Sequence, residues 1–496
     1  MEDNAAVKST GRKWRLVQFV GAILFFLLYA APFSTLPAPY VSTAGFFFPA
    51  GGGGVPVSLD NQVGSPCSSL RNHSICCDRS DANADVCFMA GDVRTDAASL
   101  SLLLFPPPGA AAATVDMMKE ERIKPYTRKW DGKVMGEIPE LRLRVAAPEE
   151  AAAGHHRCDV RHDAPAHVAA AAGGYNGHNY FHAFNDGLLP SWLTVQHLRR
   201  RVVLAALSYT PRWAATYAEV ISGLSEHPVV DLLGGGDTRT HCFPGAIVGT
   251  RFHGYLAVDP ARLRDRKTIL DFHHFLAGVF EPSSTSTSTS SSSQLSISKP
   301  RLGIVSRRGT RVIENEEAVA RLAASAGFDV GVVGTGGGGG GGLEPPLSAV
   351  YASVRGYDAL VGVHGSDLTS FLFLRPGRGA LAQVAPLGVA GLSRELFGAP
   401  AARMGLHYEQ YDVSGRESSL SRRYPEGHVV VADPERAKRR RGSDREGDWD
   451  WDFIGRVYLN GQNVSLDLDR FGKTLARMRS QLLRLTEADE LALARI

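Results

Sequence analysis

The sequence has almost no excess charge of either sign: 54 lysines and arginines oppose 51 aspartates and glutamates, leaving a net charge of +3 in 496 residues. It shows no sustained basic face and no zinc-finger spacing, so we expect no nucleic acid partner. The G-x-S-x-G, H-E-x-x-H and protein kinase motifs are also missing, which argues against the commoner hydrolases and phosphotransferases. An apolar fraction of 44% is ordinary for a globular protein, and the length suits about two to three domains.

Cysteine is scarce, and none of the six cysteines forms a C-x2-C pair. The missing pairs disfavour a zinc cluster, which is the alternative use of grouped cysteines. An even count is typical of disulfide-bonded proteins from an oxidising compartment, although the sequence does not reveal which cysteines pair. Asn72 and Asn463 each begin an N-x-S glycosylation sequon, which adds a weak indication of the same compartment. The cysteines form one group of four and two separate residues: Cys67, Cys76, Cys77 and Cys87, then Cys158 and Cys242.

Long apolar runs are missing apart from one near the N-terminus. Residues 16–33 contain one strongly polar side chain, Gln18, and follow a basic segment. As a helix this run is just long enough to span about 30 Å of hydrocarbon, and the basic flank favours a cytosolic N-terminus. We therefore expect a single-pass type II protein of the Golgi membrane with its globular part in the lumen. A cleaved signal peptide is the alternative, and it also places the globular part outside the cytosol.

Low-complexity segments divide the rest of the chain. Residues rich in Pro, Gly and small side chains after the apolar run are typical of a flexible stem. An unbroken Ser/Thr run at 283–293 cannot bury a core and indicates a linker. The predicted organisation is a cytosolic tail at 1–15, a transmembrane signal anchor at 16–33, a stem at 34–66, a first α/β lobe at 67–282, a linker at 283–299, a second α/β lobe at 300–450 and a C-terminal helical extension at 451–496.

Strand-like and helix-like segments alternate after the linker, which predicts a parallel sheet covered on both faces by helices. The half before the linker shows the same alternation less regularly. The predicted fold class is therefore α/β, with two Rossmann-like lobes facing each other across a cleft. The segments of the second half are strands at 302–306, 329–333, 359–363 and 381–386, and helices at 314–327, 347–355 and 367–374.

Two groups of polar residues follow predicted strands of the second lobe. Ser306-Arg307-Arg308 follows the first strand, and His364-Gly365-Ser366-Asp367 follows the third. Ligands of open α/β sheets bind beyond the carboxyl ends of the strands, so the two groups should be neighbours in space. Arginines and the N–H groups of a helix start both suit a phosphate. The alternative interpretation of Arg307 and Arg308 is a pair of surface arginines.

Two other motifs resemble ligand sites without meeting their requirements. The Gly336–Gly342 tract is not followed by the Lys-Ser/Thr of a P-loop, so we interpret it as a low-complexity insertion. Acidic D-x-D triplets occur at 448–450, 450–452 and 467–469, but none follows a predicted buried strand at a cleft edge. We therefore expect no bound metal.

The segment 179–190 places a histidine and an aspartate beside an apolar stripe. His182 and Asp186 lie one helical turn apart. Pro190 lacks the N–H that would bond the carbonyl of Asp186, so the helix should kink or loosen there. The conventional interpretation is a core histidine and a solvated aspartate, and the functional one is a catalytic pair. The stripe repeats at spacings of three and four residues: Phe181, Phe184, Leu188, Trp192 and Val195.

Several ordered blocks of the chain resemble glycosyltransferase family 61, a group of plant Golgi enzymes that modify xylan or xylosylate N-glycans. Segment 179–190 is similar to the N-x-x-H-x-F-N-D helix of that family, and the blocks extend from about residue 77 to residue 388. No single block would suffice, but their order argues against chance similarity. The other blocks are Cys77-Asp78 with Asp81, Cys87 with Gly91-Asp-Val-Arg94, Ile123-Lys-Pro-Tyr126 with Lys129-Trp130-Asp131, Arg307-Arg308 with Glu314-Asn315-Glu316, Val363-His364-Gly365 with Leu368-Thr369, and Gln383-Val-Ala-Pro-Leu387.

The resemblance implies a GT-B-like transferase that uses a UDP-sugar, inverts the anomeric carbon and usually holds no metal. The first lobe would carry the glycan acceptor and the second lobe the nucleotide sugar. Cys77 and Cys87 are disulfide candidates, and a complex with other Golgi glycosyltransferases is a further expected partner. The implied donor site comprises Arg307 and Arg308 at the diphosphate, His364, Gly365, Ser366 and Thr369 in the phosphate pocket, and Glu314 or Asn315 at the ribose or base.

Two residues depart from the H-G-A-G-L-T pattern of the family, because this chain reads His364-Gly-Ser366-Asp367-Leu-Thr369, and only Asp367 introduces a charge. A carboxylate at that helix start would repel a diphosphate. Asp367 would then either point away as a cap or change the donor and weaken activity. This departure motivates an alternative of a different class, a catalytically inactive Golgi glycan-binding or scaffold protein.

Inverting transfer requires a base that takes the proton of the acceptor hydroxyl as it attacks. We expect Asp186 to be this base and His182 to orient the acceptor or the base, while the reverse assignment stays open. The expected reaction is transfer of xylose or arabinose to cell-wall xylan, with N-glycan xylosylation as the alternative. A secreted polysaccharide hydrolase would instead need paired carboxylates at a fixed gap and no anion clamp.

Overall fold

The structure is a computed structural model in which no described helix is both long and apolar enough to cross a membrane. The predicted anchor at 16–33, the Ser/Thr run at 283–293 and the Gly336–Gly342 tract lie outside the described residues. The structure describes residues 47–50, 54–106, 120–147, 149–150, 154, 156–170, 179–232, 237–281, 299–334, 345–442 and 448–493.

Two large sheets and a small hairpin account for the strands of the described residues. The strands are β1 Phe47–Ala50, β2 Gly54–Ser58, β3 Ser74–Asp78, β4 Val86–Asp96, β5 Ser101–Phe105, β6 Glu120–Ile123, β7 Leu141–Val145, β8 Val160–Arg161, β9 Ala166–Ala169, β10 Val203–Ala206, β11 Val230–Asp231, β12 His241–Gly249, β13 Arg301–Ser306, β14 Asp329–Gly334, β15 Ala359–Val363, β16 Ala380–Ala385 and β17 His407–Asp412.

Most described helices are short, and several are 3-10 or π turns. The α-helices are Gly132–Glu137, Tyr180–His182, Leu189–Val195, Pro211–Thr216, Ala218–Leu224, Ile269–Phe280, Glu316–Ser325, Leu347–Val354, Ala390–Ser393, Ala399–Arg403, Leu420–Arg423, Val429–Ala432, Pro434–Ala437, Trp451–Phe453 and Leu468–Leu493. The 3-10 helices are Gln196–Leu198, Pro260–Arg262, Ser366–Phe373 and Gly415–Glu417, and the π-helices are Ala183–Leu188, Arg394–Gly398 and Ile454–Leu459.

The second sheet is parallel throughout, in the order β14-β13-β15-β16-β17. Its central strands β15 and β16 are buried along their whole length, which explains their continuous apolar sequence. This half has the helix and strand alternation that the sequence predicts, so the α/β class is confirmed. One predicted helix forms a 3-10 helix instead, at Ser366–Phe373.

The first sheet is mixed rather than parallel, in the order β11-β10-β9-β12-β4-β5-β7-β6, with β3 beside β4 and β8 beside β12. Strands β9, β10 and β11 pair in parallel, but β4 is antiparallel to β3, β5 and β12. The expected second Rossmann-like unit is thus present only in the parallel strands β11, β10, β9 and β12, and the antiparallel strands around β4 do not fit it. Short connections between consecutive strands such as β3 and β4 can be made only by antiparallel pairing.

One predicted boundary differs from the structure. The stem at 34–66 does not extend to its predicted end, because Leu59 and Asp60 are buried and Asp60 forms an ion pair with the buried Arg251 at 2.8 Å. The C-terminal helix Leu468–Leu493 lies within the predicted helical extension and packs on the second sheet. Phe471, among its apolar residues, is buried in the core of the second sheet, because the helix covers one face of that sheet.

One hydrophobic cluster joins the two halves of the described chain. It contains residues of the first sheet such as Phe88 and residues of the second sheet such as Leu360. Helix Tyr180–His182 packs in this cluster against the 3-10 helix Ser366–Phe373. The two motifs that the sequence singles out therefore lie on elements that contact each other.

Candidate active site

The His182 motif adopts a π-helix in its centre. Asn179 caps the helix by accepting hydrogen bonds from the backbone N–H groups of Phe181 and His182 at 3.0 and 3.3 Å. The π-turn Ala183–Leu188 follows and ends immediately before the segment that contains Pro190. The loosening predicted from the proline is therefore present, and π-turns of this kind are frequent at functional sites.

His182 and Asp186 form a close pair across this turn. Nδ1 of His182 lies 2.7 Å from Oδ2 of Asp186, and Nη1 of Arg128 lies 3.5 Å from the same ring nitrogen. A carboxylate at 2.7 Å can only accept a hydrogen bond, so Nδ1 of the neutral imidazole carries the proton and Nε2 carries the lone pair. The side chain of His182 is 20% exposed, whereas that of Asp186 is 3% exposed.

Further donors surround the carboxylate of Asp186. Tyr126 donates its hydroxyl to Oδ2 at 3.1 Å, and Asn185 donates its amide to Oδ1 at 2.6 Å. Nη1 of Arg128 lies 3.8 Å from Oδ2. Each oxygen of this buried carboxylate is therefore already engaged by the protein, so the solvated aspartate of the conventional interpretation is wrong. Tyr126 belongs to a block that the sequence indicated only by resemblance, and Arg128 lies between the two parts of that block.

The two polar groups at the strand ends of the second sheet meet as predicted. Nη1 of Arg307 donates to Oδ2 of Asp367 at 2.7 Å, with 7% and 1% of the two side chains exposed. Because β13 and β15 are neighbouring parallel strands, their carboxyl ends lie at the same edge of the sheet. Asp367 thus neither caps the helix nor points to solvent, because it neutralises Arg307. Arg308, the second predicted arginine, is exposed.

Arg311 is a candidate anion ligand that the motif reasoning missed. Burial, and then the charge of Arg307, lower the pKa of Arg311 to about 10, while Asp367 opposes the shift. Its Nε and the Oγ1 of Thr369 are both buried without a hydrogen-bond partner among the described residues. Orphaned buried donors of this kind suit a ligand that supplies acceptors. The spacing R-x-x-x-R from Arg307 was the available signal.

His364 lies beside these arginines as a buried, neutral imidazole. Burial, and then the charges of Arg311 and Arg307, lower the pKa of His364 to about 3. Its Nδ1 lies 3.1 Å from both the amide nitrogen of Gln383 and the hydroxyl of Ser393. An amide nitrogen can only donate, so Nδ1 is the acceptor and Nε2 carries the proton.

Gly365 allows the close approach of Arg307. A Cβ at position 365 would lie 2.5 Å from Nη1 of Arg307. Any side chain there would displace the guanidinium group from Asp367. Ser366, the next residue of the predicted pocket, donates to Oδ1 of Asp367 at 3.4 Å, which further orients this carboxylate.

Phe397 connects the two clusters. Its ring centre lies 5.5 Å from that of Phe181, the neighbour of His182, and 5.3 Å from that of His364. Phe397 therefore contacts the neighbour of His182 on one side and the imidazole of His364 on another. The His182–Asp186 pair and the arginine cluster are thus linked through one aromatic residue.

Two predicted nucleotide ligands instead have structural partners. Both amide atoms of Asn315 bond the backbone of Leu466, at 2.8 and 2.9 Å, so this side chain anchors the chain before the last helix. Glu314 is exposed and pairs with Arg422 at 2.5 Å. Neither side chain contacts Arg307 or His364.

The remaining sequence motifs lie outside this site. Disulfides join Cys67 to Cys76, Cys77 to Cys87 and Cys158 to Cys242. Asn72 is exposed, whereas the side chain of Asn463 accepts a hydrogen bond from the backbone of Val312 at 3.1 Å. In the acidic triplets, Asp450 and Asp467 accept hydrogen bonds from backbone N–H groups at helix starts. Among the described residues, no cluster of His, Cys, Asp and Glu is arranged to hold a metal ion.

Comparison with known proteins gives strong similarity to named plant enzymes, although no family model matches the chain. It is 35% identical over 434 residues to the xylan glycosyltransferase MUCI21 of Arabidopsis thaliana, covering 86% of this chain and 83% of the relative. It is 32% identical over 412 residues to the beta-1,2-xylosyltransferase XYXT1 of Oryza sativa subsp. japonica, covering 81% and 83%. It is also 32% identical over 398 residues to the alpha-1,3-arabinosyltransferase XAT3 of the same rice, covering 80% of this chain and 63% of the relative.

Proposed function

Because the chain belongs to the family of plant xylan xylosyltransferases and arabinosyltransferases, we propose that it transfers a pentose, xylose or arabinose, from a UDP-sugar to a xylan chain. The reported relatives are glycosyltransferases, and this chain is a pentosyltransferase of the same kind. Family membership thus favours an enzyme over the inactive scaffold that Asp367 had suggested. The observation that carries the proposal is that Phe397 contacts both Phe181, the neighbour of His182, and His364, which lies beside the arginines.

The donor diphosphate binds, in this proposal, at the carboxyl ends of β13 and β15. Arg307 and Arg311 supply positive charge, and the hydroxyl of Thr369 and the Nε2–H of His364 supply neutral donors. Preorganised guanidinium groups stabilise the charge that develops on the leaving UDP, so we propose that transfer proceeds without a metal. Arg307 must exchange or share its bond to Asp367 when the diphosphate arrives.

His182 is the base in this proposal, and Asp186 is the residue that orients it. This is the reverse of the assignment that the sequence favours. Asp186 is almost fully buried and both its oxygens are engaged, whereas His182 is more exposed and holds its lone pair on Nε2. Nε2 takes the proton of the acceptor hydroxyl as that oxygen attacks the anomeric carbon, while the carboxylate stabilises the resulting imidazolium.

A single displacement of this kind inverts the anomeric configuration. The acceptor approaches from the side of the first sheet and the donor from the second sheet, which is the division of labour of a GT-B-like enzyme. We further propose that the reaction takes place in the Golgi lumen, with the chain held by a single-pass anchor. The three disulfides support an oxidising compartment.

Transfer assays on xylohexaose with UDP-xylose and UDP-arabinose test the proposal. We expect a pentosylated product with one of the two donors, and an NMR spectrum of its anomeric proton that reports inversion. His182→Ala and Asp186→Asn should retain UDP binding while transfer falls. A product of retained configuration, or a full rate in His182→Ala, would contradict the mechanism.

A further inference from the structure

Two tryptophan side chains are more than half exposed, although aromatic side chains this large are usually well buried. Trp130 is 52% exposed and Trp451 is 53% exposed, whereas Trp192 and Trp213 are buried. A single exposed apolar residue needs no explanation, but two tryptophans at one site do. Trp130 is on the segment that carries Arg128, and the segment of Trp451 contacts that region through Asp452 and Lys133.

Trp130 is one side chain away from the catalytic pair. The Cζ of Arg128 lies 5.0 Å from the centre of the Trp130 ring. Nη1 of the same guanidinium group lies 3.8 Å from Oδ2 of Asp186. The cation–π contact therefore holds the indole ring against the guanidinium group that also contacts Asp186.

Trp451 is on a segment that neighbours the segment of Trp130, although the two are far apart in sequence. Its neighbour Asp452 lies 3.7 Å from Nζ of Lys133, on the helix Gly132–Glu137 that follows Trp130. Lys133 and Asp452 are 81% and 84% exposed, so this ion pair adds little stability. It does establish that the two tryptophan-bearing segments are neighbours.

We propose that Trp130 and Trp451 form an acceptor subsite on which pyranose rings of the xylan chain stack. The C–H faces of a pyranose are apolar and its hydroxyl groups lie at the ring edge. Exposed indole rings match those faces, and Lys133 and Asp452 offer a donor and an acceptor for the hydroxyls. The lysine and the aspartate balance each other in charge, which suits a neutral polymer. This subsite rests on the proposed transferase function, and it places the bound chain next to His182.

The test measures xylohexaose binding by calorimetry, with UDP present, for the full-length chain and its variants. Trp130→Ala and Trp451→Ala should each weaken xylohexaose binding about tenfold, as expected for the loss of one stacked ring. Tyrosine at either position should restore most of the affinity. Val332→Ala, a change at another exposed apolar residue (59% exposed, on β14), should change nothing. UDP affinity and Tm should stay unchanged in all these variants.

The outcomes separate this subsite from the function on which it rests. If the wild-type chain transfers pentose to xylohexaose, and both alanine variants bind xylohexaose as tightly as Val332→Ala does, the subsite is wrong and the transferase stands. If the wild type binds neither UDP nor xylohexaose, the proposed function fails and the subsite fails with it. The subsite would also be overturned if the Trp→Ala variants lost xylohexaose binding and had a lower Tm, and if tyrosine at the same positions restored neither.

Discussion

Arg307 and Asp367 are 60 positions apart in sequence and form an ion pair of 2.7 Å in which both side chains are buried. The carboxylate of Asp367 accepts a hydrogen bond from the guanidinium group of Arg307, as a phosphate oxygen of the donor would. Asp367, which departs from the family pattern, thus pairs with Arg307, the arginine that the resemblance assigns to the donor diphosphate. Donor binding must compete with this internal contact.

Asp367→Asn should therefore tighten UDP binding while it destabilises the unliganded protein. The neutral amide competes less with the diphosphate, so we expect about tenfold higher UDP affinity. Removal of one partner of a buried ion pair costs about 3–5 kcal/mol of unfolding free energy, which UDP should partly restore. Calorimetry and thermal unfolding with and without UDP measure both effects, and Asp163→Asn, at a carboxylate that is 94% exposed, is the control. Weaker UDP binding in Asp367→Asn would mean that Asp367 serves only to position Arg307.

Arg311 and Arg308 should differ sharply in their contribution to donor binding. Arg311→Ala removes a partly buried guanidinium group with an orphaned Nε, so UDP affinity should fall about tenfold to a hundredfold. Arg308→Ala removes an exposed side chain of the same type and should change UDP affinity less than twofold. UDP binding by both variants is measured at one salt concentration. Equal losses for Arg308→Ala and Arg311→Ala would contradict the assignment of Arg311, rather than Arg308, to the donor site.

The base should be identifiable by chemical rescue. His182→Ala should lower kcat about 10²–10⁴-fold with UDP affinity unchanged, since only proton transfer is lost. Added imidazole should restore part of this activity, because a small base can enter the space left by the side chain. Asp186→Asn should also lower kcat, through loss of the oriented tautomer, and imidazole should not rescue it. If His182→Ala turned over normally and imidazole rescued neither variant, Asp186 would be the base instead.

His364 should make the protein less stable in mild acid. Its pKa is about 3 in the folded protein against 6.5 in the unfolded chain, so the unfolded state binds the proton first as pH falls. Stability from this group is complete above pH 6.5 and decreases between pH 6.5 and about 3. At pH 5 the loss should be about 2 kcal/mol. Urea unfolding at pH 7 and pH 5 should therefore show a smaller difference for His364→Gln than for the wild type, and equal differences would contradict the neutral, buried imidazole.

Four of the five strands of the second sheet could be predicted from sequence, whereas β17 was missed. The predicted strand at 359–363 is the strand Ala359–Val363, because a run buried on both faces is continuously apolar. The first sheet was harder to predict, since its antiparallel strands such as β4 are long and depend on pairing partners far along the chain. Hydrophobic periodicity describes one element at a time and does not state which strand lies beside it.

Local sequence is enough to place a histidine and an aspartate one turn apart, and arginines at the end of a buried strand. It also predicts that Arg307 and His364 meet, because parallel strands end at a common edge. The three-dimensional packing is needed to show that Arg307 faces Asp367, that Arg311 is partly buried while Arg308 is exposed, and that His182 rather than Asp186 reaches the surface. Those outcomes depend on burial and on charge partners supplied by distant parts of the chain, and no local pattern encodes them.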